Sequence, residues 1–304
     1  MRRGRTRKKE KQPLRLRLAG LAFALLFLVG FGILIYPTVS NQWNTWRQSR
    51  LISSYNSTVT EAEAEDLSEE WEAAEAYNES ISGLSAYTDV FDSDTETEED
   101  SLYQSLLNLS GDGVMGYISI PKINVKLAIY HGTDETALQT GVGHLEGTDL
   151  PIGGEGSHAV IAGHRGLPSA RLFTDLDQLE IGDQFYLYIL DEVLAYEVDQ
   201  ILPMVDKDDY ETLLAALAPV EGEDYVTLYT CTPYGVNTHR LLVRGRRIPY
   251  EGETESTVMS AVLQAIRDYY MLYLLMGLAV TALGILAVRA VSGRKAGAED
   301  EEEE

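Results

Sequence analysis

The most reactive side chain in this sequence is a thiol. Cys231, inside TLYTCTPYGVNTHRLLVRGRR (227–247), is the one cysteine of the chain. It cannot close a disulfide within the chain, so it is an inter-chain link, an inert buried residue or a nucleophile. A cysteine nucleophile acts as its thiolate and needs a basic or cationic neighbour, because a free thiol is mostly protonated at neutral pH. The candidates are His131, His144, His158, His164 and His239. His164, in HAVIAGHRG, follows a short apolar run and lies between glycines, so its ring can project from a strand end with little crowding; a surface-loop histidine is the alternative. His158 opens the same run and reads as structural or solvated. His131 in IYHGT and His144 in GVGHLEG follow turns and read as structural. Arg240 begins the alternating segment RLLVRGRR, where it can aim five donors at a developing oxyanion or a substrate carbonyl. Arg246 and Arg247 suit a solvated strand edge better.

These residues need elements to hold them. From about Gly111 the chain shows short strand-like runs bounded by Gly, Pro and Asp, at 115–120, 125–130, 158–162, 184–190, 195–201, 225–230 and 240–247. Their number and length predict an all-β barrel or sandwich, with one helix at 208–218 packed on its outside. Cys231 ends an apolar strand just before the TPYG turn, so the sheet holds the backbone while the side chain reaches a cleft. Alternation puts Arg240, Leu242 and Arg244 on one face and Leu241 and Val243 on the other. The preceding stretch, from about 41 to 100, is polar and acidic. EAEAEDLSEEWEAAEAY favours helix, giving one or two surface helices followed by a loop through SAYTDVFDSDTETEED. Neither an internal repeat nor a phosphate-binding glycine loop is evident.

Two charge-free apolar runs, at 18–36 and 271–288, have about the ~20-residue length that spans a bilayer. The first exceeds the core of an ordinary signal peptide and lacks a clear cleavage site after it, which favours an uncleaved anchor. Basic residues crowd the segment 1–17 and recur at Arg289, Arg294 and Lys295. Both ends are therefore expected in the cytoplasm, the acidic tail at 289–304 contributing little to orientation. Tyr269, Tyr270 and Tyr273 would mark the outer membrane interface, at the end of a juxtamembrane stretch 251–270. The region between the spans then faces outward. It holds most of the 48 acidic residues, which makes nucleic acid an unsuitable partner and reads most simply as solubility.

TLYTC, followed nine residues later by Arg240 and preceded by a histidine in AGHRG, resembles the sortases, cysteine transpeptidases of Gram-positive bacterial surfaces. More narrowly, GYISIPKINVKLAIYHGT, GVGHLEGTDLP and TCTPYGVNTHRLLVRG are similar to the pilin-polymerising class C enzymes, over about 106–248. The resemblance implies a mainly β fold, an eight-stranded barrel with short helices over 106–250, preceded by a helical and lid segment at 37–105. It implies Cys231 as nucleophile, His164 as acid/base and Arg240 as positioner of substrate and oxyanion, with no metal or organic cofactor. The substrate would be a pilin or other surface protein with an LPXTG-like sorting signal, cleaved after its threonine to give a thioester that a pilin lysine resolves. Class C lids carry an Asp-Pro-aromatic motif; here TDVFDSD supplies Asp89 and Phe91, with Val90 in place of the proline, which frees the local backbone. Asp89 would pair with Arg240 and Phe91 would cover Cys231, an ordinary acidic loop being the alternative. Two other functions stay open: attachment of surface proteins to a peptidoglycan amine, and a non-catalytic extracellular binding module whose thiol is incidental.

Overall fold

The computed structural model describes residues 14–81, 89–91, 100–252 and scattered positions between 270 and 282. The chain divides into two units, Met1–Thr38 with Ile266–Glu304, and Val39–Ala265. The first apolar run is helical and belongs to α1 (Leu14–Glu61). Its described part is long and apolar enough to cross a membrane, with a mean hydropathy of 1.4 over a window that is nowhere buried. Of the second expected span, the described positions 274, 275, 277–279, 281 and 282 are helical. The rest of that span lies largely outside the described residues, as do the tails at 1–13 and 289–304 and the juxtamembrane stretch 253–269.

In the second unit β1 (Val114–Ile120), β2 (Val125–His131), β3 (Val142–His144), β4 (Ser157–Ala162), β5 (Gln184–Ile189), β6 (Glu192–Asp206), β7 (Asp224–Thr232) and β8 (His239–Ile248) form a closed barrel. Their order around it is β1–β2–β3–β4–β7–β8–β6–β5. Seven of them follow runs expected from the sequence. The eighth, β3, is too short for alternation to reveal, and it needs Gly143, where a Cβ would sit 2.1 Å from the Gly132 carbonyl oxygen. β6 is longer than the expected 195–201 because register shifts at Val198/Gln200 and Leu202/Val205 bend one strand around the barrel.

Alternation sorts side chains into two layers. Ala159, Ile161, Val226, Leu228, Leu241 and Val243 fill the barrel interior. Val160, Ala162, Tyr229 and Leu242 face outward, beneath Leu138 of α4 (Glu135–Thr140) and Leu213 and Leu217 of α5 (Tyr210–Leu217), the helix expected at 208–218. Each Val, Leu or Ile side chain among them contributes about 1.5–3 kcal/mol on full burial. The polar segment before the barrel does more than coat it. Within α1, Ile52 and Tyr55 pack on Val114, Tyr117 and Ala128. The Tyr55 hydroxyl donates to the Met115 carbonyl at 3.1 Å and accepts from the Leu190 N–H at 2.7 Å. Buried Gln48 donates to the Thr140 carbonyl and accepts from the Ala128 N–H at 2.9 Å. α2 (Ala64–Ser80) buries Leu67, Ala74 and Tyr77 on one face, and Asn78 exchanges two hydrogen bonds with the Leu150 backbone. α3 (Ser101–Ser105) inserts Tyr103.

Three histidines serve this framework, as their sequence contexts indicated. His144 Nε2 lies 2.8 Å from the Asp149 carbonyl and therefore donates, which leaves Nδ1 to accept from the Tyr103 hydroxyl at 2.9 Å. His158 Nδ1 donates to the Ala218 carbonyl at 3.0 Å, while Nε2 accepts from Thr227 at 2.7 Å. His131 sets both nitrogens against carbonyls, of Gly113 and Leu106. Burial lowers the pKa of all three, that of His144 to about 4. The unfolded state, with histidine near 6.5, then binds more protons, so this stability is complete above pH 6.5 and is lost as pH falls towards 4. For His144 the loss is on the order of 3 kcal/mol. Glu146, Asp149 and Asp224, whose pKa values burial raises, oppose the trend. Thermal unfolding of the detergent-solubilised chain should show Tm falling from pH 6.5 to 4, with a shallower slope in His144→Gln; equal slopes would mean that His144 is not held neutral.

Candidate active site

Cys231 lies next to the end of β7. On one side β8 pairs antiparallel with Cys231 opposite Arg240. On the other, β4 pairs parallel with Ala162 opposite Tyr229, and the Gly163 N–H continues that ladder to the Tyr229 carbonyl at 3.0 Å. Carrying the register two residues past the end of β4 sets His164 abreast of Cys231. Neighbouring strands are about 4.8 Å apart and side chains alternate with period two, so His164, Cys231 and Arg240 form one row on the outer face. Gly163 lets the chain leave β4 at this point, because a Cβ there would lie 2.7 Å from the Phe173 ring. The loop that follows closes through Phe173 N–H to the His164 carbonyl at 3.1 Å. After Cys231 the chain turns through Pro233, whose carbonyl accepts from Val236 and Asn237. Asn237, at φ 61°, then reverses the chain into β8.

Arg240 is only 2 % exposed. Its Nε donates to Asp89 Oδ1 at 3.2 Å and its Nη2 pairs with Asp89 Oδ2; Nη1 donates to the carbonyls of Asn237 and His239, each at 2.9 Å. Burial by itself lowers the pKa of the guanidinium, but Asp89, Cys231 and Tyr229 outweigh that and raise it above the ordinary arginine value. Asp89 thus pairs with Arg240 as anticipated. Phe91 takes a position on the neighbours of Cys231: its ring is 5.2 Å from His164, stacks on Tyr229 at 5.7 Å and lies 5.4 Å from the Arg240 guanidinium carbon. Where the class C pattern has proline, Val90 is held by a turn in which the Phe91 N–H donates to the Asp89 carboxylate at 3.2 Å. The flanks of this segment, 82–88 and 92–99, lie outside the described residues. Cys231 is buried. His164 is half-buried; burial lowers its pKa, with the charge of Glu135 opposing.

The remaining candidates lie elsewhere. His239 bonds to Thr238 at the start of β8. Arg244 lies over Tyr225 and pairs with Asp199, while Arg246 and Arg247 pair with Glu223 and Asp224. Among the described residues no group of three His, Cys, Asp or Glu side chains is placed to hold a metal ion. Two site neighbours escaped the reading of the sequence: Tyr229, which carries Phe91, and Arg165, which reaches the strand of Cys231. Alternation marks Tyr229 as sharing the face of Cys231; Arg165 had only its adjacency to His164 as a signal.

A model of the sortase domain matches residues 118–248. Sortase D of Bacillus subtilis is 35% identical over 136 residues, 44% of this chain and 63% of that protein. Sortase A of Bacillus anthracis is 30% identical over 132 residues, 43% of this chain and 59% of that protein. The chain therefore spans a little under two thirds of these relatives. Among solved structures, sortase C1 from Streptococcus agalactiae is 49% identical with a TM-score of 0.59, covering 66% of this chain and 100% of the other. Sortase C-1 from Streptococcus pneumoniae is 41% identical, also with a TM-score of 0.59, covering 66% and 99%. A pilus-related sortase C of Group B Streptococcus is 39% identical with a TM-score of 0.58, covering 66% and 98%. The closed barrel, the row across β4, β7 and β8 and these matches lead to one conclusion: the chain belongs to the sortase family.

Proposed function

We propose that this protein is a membrane-anchored cysteine transpeptidase that joins pilin subunits, with both termini in the cytoplasm and the barrel outside. The observation that carries this reading is the single row of His164, Cys231 and Arg240, with the Arg240 guanidinium occupied by Asp89. Lid withdrawal would free the Nε and Nη2 donors of Arg240, while Nη1 keeps its backbone carbonyls and holds the group in place. The Cys231 thiolate attacks the threonine carbonyl of an LPXTG-like signal, and the new oxyanion develops towards Arg240. His164 gives a proton to the leaving amine as the C–N bond breaks, leaving a thioester on Sγ. A lysine amine of another pilin then attacks, His164 takes its proton, Sγ departs and an isopeptide bond remains. Energy comes from exchanging one amide for another. The pilin reading draws support from the class C structural neighbours and from the segment around Asp89 and Phe91 over the site.

Intact mass spectrometry of the chain with an LPXTG-like peptide and a lysine-bearing pilin fragment tests the proposal. An acyl adduct on Cys231 that passes to the lysine is expected. Absence of any adduct, with Asp89→Ala as well, would sink it. Cys231→Ala should abolish the reaction; His164→Ala should slow it by about 10²–10⁴-fold and Arg240→Ala by about 10²–10³-fold, and near-normal turnover in either would remove that residue from the site. Asp89→Ala should speed alkylation of Cys231 by at least ~10-fold, the effect of weakening closure by about 1.4 kcal/mol; an unchanged rate would mean that the pair does not hold the lid. Because burial lowers the pKa of His164, with Phe91 over its ring, an NMR titration of Phe91→Ala should show that pKa rising towards 6.5.

A further inference from the structure

The register that aligns His164 with Cys231 also aligns their chain neighbours. Gly163 falls opposite Thr230 and Arg165 opposite Thr232, all on the face away from the thiol, and each pair is bonded. The Thr230 hydroxyl donates to the Gly163 carbonyl at 2.6 Å. Arg165 Nη1 donates to Thr232 Oγ1 at 3.1 Å. The residues on either side of the cysteine thus hold the residues on either side of the histidine.

Of these two links, the arginine one reaches furthest. The Arg165 side chain is 9% exposed; its Nε donates to the Thr174 carbonyl at 3.1 Å and its Nη2 pairs with Asp177 at 2.7 Å. One planar guanidinium therefore ties three places together: β7 just after the thiol, the far limb of the loop after His164, and the turn at Asp177. A lysine, with its single point charge, cannot address three fixed directions in this way. His164 lies beyond the last residue of β4, and among the described residues its ring packs on Phe91, which the lid would carry off on opening.

The geometry points to Arg165 as a positioning residue: acting through Thr232, it holds His164 level with Cys231 when the lid is withdrawn. This rests on the reading of Cys231 and His164 as the catalytic pair. Arg165 itself touches no reacting atom. Its removal allows the His164 loop to drift, and a displacement near 1 Å costs on the order of 10²-fold in rate.

The test is single-turnover acylation of the full chain, in detergent, by an LPXTG-like peptide. Arg165→Gln and the nearly isosteric Thr232→Val should each lower the rate constant at saturating peptide by about 10–100-fold, with KM for the peptide changed less than about twofold. Thr232→Ser, which keeps the accepting hydroxyl, should restore most of the rate. The double variant should be no slower than Arg165→Gln, because the link that Thr232→Val cuts is already lost there. Wild-type rates in Arg165→Gln or Thr232→Val, multiplied losses in the double variant, or Thr232→Ser as slow as Thr232→Val would each overturn the inference while leaving the transpeptidase reading intact. A wild-type chain that is never acylated would overturn both.

Discussion

Residue 164 stands beside residue 231 through the parallel pairing of β4 with β7, and the place of the histidine in the site depends on that register. Packing on both faces of the two strands fixes it. Ala159, Ile161, Val226 and Leu228 project into the barrel, while Val160, Ala162 and Tyr229 project into the outer layer under α4 and α5. A slip of one residue would exchange the two sets and send His164 to the wrong face. The placement of Cys231 and of the strand that leads to His164 is therefore a by-product of hydrophobic burial on both sides of one wall.

A buried guanidinium is costly unless it is paired and fully bonded. Arg240 meets this condition with two kinds of partner. The carbonyls of Asn237 and His239 belong to the wall and stay with it; the carboxylate of Asp89 belongs to a segment far away in sequence. Orientation and neutralisation are thus separate. The first comes from carbonyls close to Arg240 in sequence, and the second from a carboxylate 151 residues away. Val90 is compatible with this division because the turn made by Asp89 supplies locally the restraint that a proline would give.

The sequence made the barrel strands legible because period-two alternation survives without tertiary information, and it offered Cys231, His164 and Arg240 as candidates whose roles only the resemblance implied. Cys231 had no rival, and Arg240 was separable from Arg246 and Arg247 by its place at the strand start. Other features depended on contacts. β3 has three residues, too few for a period. The two bulges of β6 break the alternation that would have shown its length. The packing of α1 on the barrel relies on Gln48, whose polarity argues for solvent although it is buried between two backbone groups. Arg165 carries no signal beyond its adjacency to His164, because its partners Thr174, Asp177 and Thr232 converge only in the folded chain.

The contacts of α1 bear on where this domain begins. β1 and β5 meet over three register pairs, Tyr117 with Tyr188, Ile118 with Leu187 and Ser119 with Tyr186. Beside that narrow join the Tyr55 hydroxyl spans from the Met115 carbonyl to the Leu190 N–H. The family match starts at residue 118, yet a chain cut there would leave the Leu190 N–H, along with the Ala128 N–H and Thr140 carbonyl that Gln48 serves, without their partners. The contacts that complete the barrel thus begin upstream of the family match, at Gln48 within α1, and they fall inside the unit Val39–Ala265.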